Sequence, residues 1–212
     1  MILFCRDLGR IEYEKALRLQ EELLMQRYRG ECEDTLLLLE HPAVFTLGRG
    51  GNDNNLLTPR EVPIHRVGRG GDVTYHGPGQ LVGYPIVHLG SHGRDVHAYL
   101  RGIEAVLIEV LAHHHVRAQC RKGLTGVWVG EDKIASIGIG VRHWVTYHGF
   151  ALNVDTDLTY FADIIPCGIA GVRMTSMTRM LARPVAVDAV KPLVAEEFAR
   201  YFGYKEIVWQ NM

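Results

Sequence analysis

Four cysteines in 212 residues, Cys5, Cys32, Cys120 and Cys167, lie far apart with no C-x-x-C pair. That spacing gives neither a zinc or redox motif nor a disulfide framework, so each thiol serves packing or chemistry. No apolar run reaches the length of a membrane span. The opening MILFCRDLGRIEYEK carries charges at Arg6 and Asp7 and lacks the order of a signal peptide. A cytoplasmic location without a membrane partner is the expectation. Charge of one sign is missing too: the formal net charge is −1, which argues against a nucleic-acid binder working by phosphate neutralisation. The phosphate-binding loop G-x-x-x-x-G-K-[ST] is absent. Gly138 and Gly140 begin a dinucleotide fingerprint, but position 143 is His. G-x-S-x-G, the hydrolase elbow, does not occur. Eleven histidines are present without H-E-x-x-H or a carboxylate-supported H-x-x-x-H, and His113, His114 and His115 point different ways from a helix end, so no metal is expected.

What remains is an ordinary globular composition, 47% hydrophobic and 22% charged, expected to form one domain over residues 1–212. Residues 1–8 read as a strand. Residues 11–28 show helical spacing, with Ile11, Leu17, Leu24 and Tyr28 near one face. The run of leucines within 34–40 predicts a short buried strand stopped by His41-Pro42, and 44–47 continues as strand. Further strands are expected at 64–67, 81–87 and 144–154, with a hairpin formed by 125–129 and 134–141. The clearest helix is 95–113, with Asp95 as N-cap. A last helix covers 187–202. Strands in runs with single helices between them indicate α+β, with a mixed, largely antiparallel sheet.

Residues 69–80 read RGGDVTYHGPGQ and are hard to explain as ordinary structure. Dense glycine marks unusual dihedrals or close approach to the backbone, yet Arg69, Tyr75 and His76 are interleaved with it. Thr-Tyr-His-Gly recurs at 146–149 in different flanks, so no duplication is inferred. His76 and His148 read equally as structural imidazoles or as site groups. Cys167, between Pro166 and Gly168, lies outside any periodic element. It reads either as a nucleophile, with backbone N–H groups beside it as oxyanion donors, or as a small buried hydrophobe. Lys133, entering the small-residue strand after Gly130-Glu131-Asp132, either projects into a site or sits in water.

RGGDVTYHGPGQ, Lys133–Gly138 (KIASIG), His148–Val154 (HGFALNV) and Pro166–Ile169 (PCGI), with the earlier VFTLG at Val44–Gly48, resemble the lipoyl(octanoyl) transferases in order and spacing across nearly the whole chain. The resemblance implies a fold like the biotin and lipoate protein ligase catalytic domain, and no cofactor. It implies Cys167 as the acyl-accepting thiol and Lys133 as the partner that favours its thiolate. Acyl-substrate contacts are implied at Arg69, Gly70, Gly71, Asp72, Val73, Thr74, Tyr75 and His76, with no individual role for Asp72. Others are implied at Ser136, Ile137 and Gly138, and at Gly149, Phe150 and Ala151. The implied donor is octanoyl-acyl carrier protein. The implied acceptors are lipoyl domains of 2-oxoacid dehydrogenase complexes and the glycine cleavage H protein. Val73, Tyr75, Ile137, Phe150 and Leu152 are expected to wall an acyl tunnel, and Arg66, Arg69, Arg121, Lys122, Arg142, Arg173, Arg179 and Arg183 to offer a basic rim. The alternative is an ATP-dependent lipoate or biotin protein ligase of the same fold, which needs no nucleophilic thiol.

Overall fold

Leu36, Leu37, Leu38 and Leu39 are each fully buried, yet they belong to two cores. The structure, a computed structural model, describes residues 1–57 and 60–210. In chain order its elements are β1 (Ile2–Arg10), α1 (Tyr13–Arg29), β2 (Thr35–Glu40), β3 (Val44–Leu47), β4 (Ile64–Arg66), β5 (Val73–His76) and β6 (Gln80–Ile86). They continue with α2 (Val96–His113), β7 (Gln119–Arg121), β8 (Leu124–Val129), β9 (Asp132–Arg142), β10 (Val145–Asn153), α3 (Met177–Leu181), α4 (Val187–Phe202) and β11 (Glu206–Gln210). Strand β2 lies inside an eight-stranded sheet of order β11-β1-β2-β6-β10-β9-β8-β7. Successive side chains of a strand face opposite sides. Leu36 and Leu38 therefore join the core under α2 and α4, while Leu37 and Leu39 meet Ala16, Leu23 and Leu24 of α1.

The sheet is mixed and largely antiparallel, as expected: β1 runs parallel to β11 and β2, and the remaining neighbours are antiparallel. A small second sheet, β4-β3-β5, stands apart. Its Phe45, Leu47, Val73 and Tyr75 form a third core with Phe161, Ile164 and Met174.

Of the three expected helices, α2 and α4 form within a residue of their expected ends, and α1 starts two residues later than expected. Asp95 caps α2 by accepting from the Ala98 N–H at 2.9 Å. The inward face of α1 differs from expectation. Tyr28 is exposed and stacks on His143, whereas Tyr13, Ala16, Gln20, Leu23 and Leu24 are buried. Gln20 escapes a hydrophobicity pattern because its Oε1 accepts from the His148 N–H at 2.8 Å, so a polar residue occupies the buried stripe. Strands β7 and β11, both at sheet edges, and the short α3 also carried too little periodicity to be predicted.

Asp34 ties the pole of the sheet together. Its carboxylate accepts from Arg27 Nε at 2.7 Å, the His88 N–H at 3.0 Å and Tyr204 OH at 2.8 Å. Burial opposes ionisation, but the His92 ring 3.6 Å away and hydrogen bonds from Arg27 and the His88 N–H outweigh it and hold the acid down to about 2. A depressed acid stabilises the fold above its unfolded pKa, and that stability disappears as pH falls through the folded value. The contribution, about 2 kcal/mol, is thus complete above roughly pH 4 and lost toward pH 2. Acid titration of unfolding free energy should show a shallower slope across this window in Asp34→Asn than in the parent; equal slopes would refute the assignment.

Candidate active site

Cys167 sits in a tight turn, Pro166–Gly168, with φ 58° and ψ 17°. A non-glycine residue in this left-handed region is strained and persists only where its surroundings hold it. The holding is visible on both sides. Upstream, Leu56 and Ile164 form a β-bridge and the Ile165 N–H donates to Asn55 O at 2.8 Å. Downstream, the Lys133 N–H donates to Arg173 O at 2.8 Å and the Thr175 N–H to Lys133 O at 2.9 Å. Lys133, only 1% exposed, is the first inward residue of β9. Its Nζ donates to Cys167 Sγ at 3.1 Å, with Ser136 Oγ 3.7 Å from the same sulfur. The Trp128 ring lies 5.6 Å from Nζ, within cation–π range. An ammonium at this distance stabilises a thiolate through a charge-assisted hydrogen bond.

The glycine-rich segment reaches this pair by lying directly on β9. The Gly70 N–H donates to Ile139 O at 2.9 Å, and a Cβ on Gly138 would stand 2.8 Å from Gly70 O. Gly138→Val should lift the segment off the strand and lower kcat/KM by about 10²-fold, the scale of an ångström's misplacement. Unchanged kinetics in that variant would remove the contact from the site. Arg69 is buried, and its Nη2 donates to Thr46 O and Oγ1 at 2.7 and 2.8 Å. Asp72 binds the Asn55 side chain at 2.6 Å and the Asn52 N–H at 3.2 Å, and its Oδ2 lies 2.7 Å from where a Gly168 Cβ would be. It braces the turn that carries Cys167.

His76 is no free base. Its Nδ1–H donates to Gln80 Oε1 at 2.8 Å, and Nε2 faces the Thr46 hydroxyl at 3.4 Å. Burial, then the nearby His41 and Arg69, keep it well below the ordinary imidazole pKa. Gln80 passes the network on to Asn153 and so to Thr175 O. Burial also lowers His41 to about 4 and, with Arg69 and Arg49, His148 to about 3. All three are neutral near pH 7. His148 departs from the strand norm with φ 56°. Its Nε2 and Arg69 Nε are buried without a hydrogen-bond partner among the described residues.

These elements enclose a cavity of about 240 Å³. Cys167, Lys133 and Ser136 line it, as do Arg69, Gly70, Gly71, Asp72, Thr74 and His76 from the glycine-rich segment. Ile137 and Gly138 of β9, and Gly149, Phe150 and Ala151 of β10, complete the expected walls. Val73, Tyr75 and Leu152 do not. The pleat of β5 points Thr74 and His76 inward and sends Val73 and Tyr75 to the third core, where Tyr75 stacks on Tyr160 at 4.5 Å. Leu152 lies in the core under α2 and α4. The Gly168 N–H, expected as an oxyanion donor, is committed to Ile165 O at 3.0 Å. The basic rim is also reduced: Arg69 is inside, while Arg66, Arg121 and Arg173 pair with Asp53, Glu131 and Asp132.

Sequence reasoning passed over Tyr13, Tyr84, Leu124 and Ile169, which also line the cavity. Tyr13 and Tyr84 look like core aromatics in sequence. Only their partners reveal the site, Tyr84 OH donating to His41 Nε2 at 2.8 Å. His113, from the histidine run, pairs with Glu197 at 3.0 Å.

The chain, a mixed sheet with a glycine-rich clamp and a lysine-bound thiol at a half-open pocket, belongs to the lipoyl protein ligase A/B catalytic domain family, which its residues 12–199 match. Among relatives, it is similar to an octanoyltransferase of Geobacter metallireducens, 51% identical over 196 residues and covering 92% of each chain. An octanoyltransferase of Solibacter usitatus is 50% identical over 207 residues, covering 94% of this chain and 93% of the relative. The protein is an acyltransferase of the lipoyl(octanoyl) transferase branch. A bipartite lipoate protein ligase of Thermoplasma acidophilum shares the fold with a TM-score of 0.71 at 16% identity, over 100% of this chain and 87% of that one. The biotin protein ligase of Aquifex aeolicus is more distant, with a TM-score of 0.53 at 12% identity, over 95% and 69%. Among the described residues no helix is long and apolar enough to cross a membrane.

Proposed function

We propose that the whole chain is one catalytic domain that transfers an octanoyl group from octanoyl-acyl carrier protein to a specific lysine of lipoyl domains, through a thioester on Cys167. The 3.1 Å contact between Lys133 Nζ and Cys167 Sγ carries this reading. The Cys167 thiolate attacks the donor carbonyl, the thioester C–S bond of the donor breaks, and the departing pantetheine sulfur takes a proton from Lys133. The substrate lysine then attacks the acyl-enzyme and loses a proton to the now neutral Lys133. An amide forms and the Cys167 thiolate is released beside the restored ammonium. The first step exchanges one thioester for another and is nearly balanced; the second runs downhill. Burying the acyl chain contributes about 0.8 kcal/mol per methylene, against walls that include Ile137 and Phe150. The lipoyl domains meant are those of 2-oxoacid dehydrogenase complexes and the glycine cleavage H protein.

Intact mass measured after mixing the protein with octanoyl-acyl carrier protein and no acceptor tests the reading. The expected product gains one octanoyl group, labile to hydroxylamine. Transfer without such an adduct would mean direct aminolysis, and ATP-dependent pyrophosphate release would favour the ligase reaction.

A further inference from the structure

Glu104 lies on α2 with its side chain fully buried, an unusual position for a carboxylate. Oε1 accepts from the Gly126 N–H at 2.8 Å, and Oε2 accepts from Arg101 Nη1 and faces Cys120 Sγ at 3.2 Å. Gly126 opens the inward part of β8 with φ 131°, a region that side chains rarely adopt. It also lies under the catalytic lysine: a Cβ there would stand 2.5 Å from Lys133 Cε and 3.1 Å from Nζ. The backbone of residue 126 is therefore the floor on which the lysine stem rests, and the Glu104 carboxylate holds that floor by its N–H. Beside it, Leu124 and Thr125 line the cavity.

We infer that Glu104 is a positioning residue for the Cys167–Lys133 pair, fixing the Gly126 backbone so that the Lys133 stem lies along it and Nζ stays on the sulfur. The inference rests on the reading of these two side chains as the reacting pair. Glu104 touches neither of them directly. Without its acceptor the buried Gly126 N–H would seek another partner, the strand would shift, and the lysine would lose its seat.

The test is the pH profile of Cys167 alkylation by iodoacetamide in the full-length protein, followed on the Cys167 peptide by mass spectrometry so that exposed Cys120 does not interfere. No acyl donor is used, so a failure here is distinct from a failure of the proposed transfer. Glu104→Ala should move the profile upward by about one pH unit, a tenfold loss of thiolate, and lower kcat for acyl transfer more than it raises KM for the donor. Glu104→Gln keeps an oxygen for the Gly126 N–H and should restore most of the parent profile. Gly126→Ala, with Glu104 intact, should reproduce the upward move by displacing the lysine stem. A folded Glu104→Ala protein with the parent profile would overturn the inference, as would Glu104→Gln moving as far as Glu104→Ala, which would make charge the agent instead of position. Should Glu104→Ala fail to fold, the other two variants decide: the parent profile in Gly126→Ala overturns it, and an upward move there with a near-parent Glu104→Gln supports it.

Discussion

Cys167→Ala is expected to lower kcat/KM for octanoyl transfer at least a thousandfold, about 4 kcal/mol of transition-state stabilisation, and to abolish the acyl-enzyme adduct. The sulfur is the one nucleophile held against an ammonium in the cavity among the described residues. Removing it leaves binding and the pocket but closes the two-step route. The melting temperature should change little. Cys167 is only half-buried, and alanine meets the same left-handed backbone, so neither a large cavity nor a release of strain accompanies the change. Donor turnover measured beside a thermal melt checks both halves. A variant that retains transfer within tenfold of the parent would remove the covalent intermediate.

Lys133→Met should give the opposite pairing of effects from an ordinary core substitution. Loss of a positioned proton donor and acceptor lowers rate by about 10²–10⁴-fold. Stability should hold or rise, because a buried ammonium bears a desolvation penalty that a thioether of similar length does not. Lys133 is 1% exposed, and its backbone contacts to Arg173 and Thr175 do not depend on the side chain. KM for the donor should move less than kcat. A variant both inactive and strongly destabilised would mean the lysine holds the fold together, and its proton-transfer role would then lack support.

The sequence showed the site's parts better than their directions. Cys167 and Lys133 stood out because proline, glycine and a lone charge broke the local pattern, and the family motifs put them in one pocket. Val73 and Tyr75 were misplaced because the glycine-rich stretch carried no readable strand period. Once Val73–His76 is a strand, a period of two sends alternate residues away from the cavity. Gln20 and Glu104 were invisible for a different reason. Polar residues in a helix read as solvated until a backbone N–H from another element is found bonded to them. Tyr13 and Tyr84 stayed hidden because an aromatic in an amphipathic helix or a buried strand already has a sufficient explanation. Helices α2 and α4 were legible throughout, α2 because its periodicity and the Asp95 cap agree and α4 by periodicity alone.

The turn bearing Cys167 is stapled before and after by backbone bonds, to Asn55 on one side and to Lys133 on the other. The sulfur's place is consequently independent of the side chain at the tip that follows it, Ala170, which is exposed. Ala170 can therefore change while the sulfur stays on the lysine, whereas Gly171, at φ 73°, holds a backbone that only glycine adopts freely.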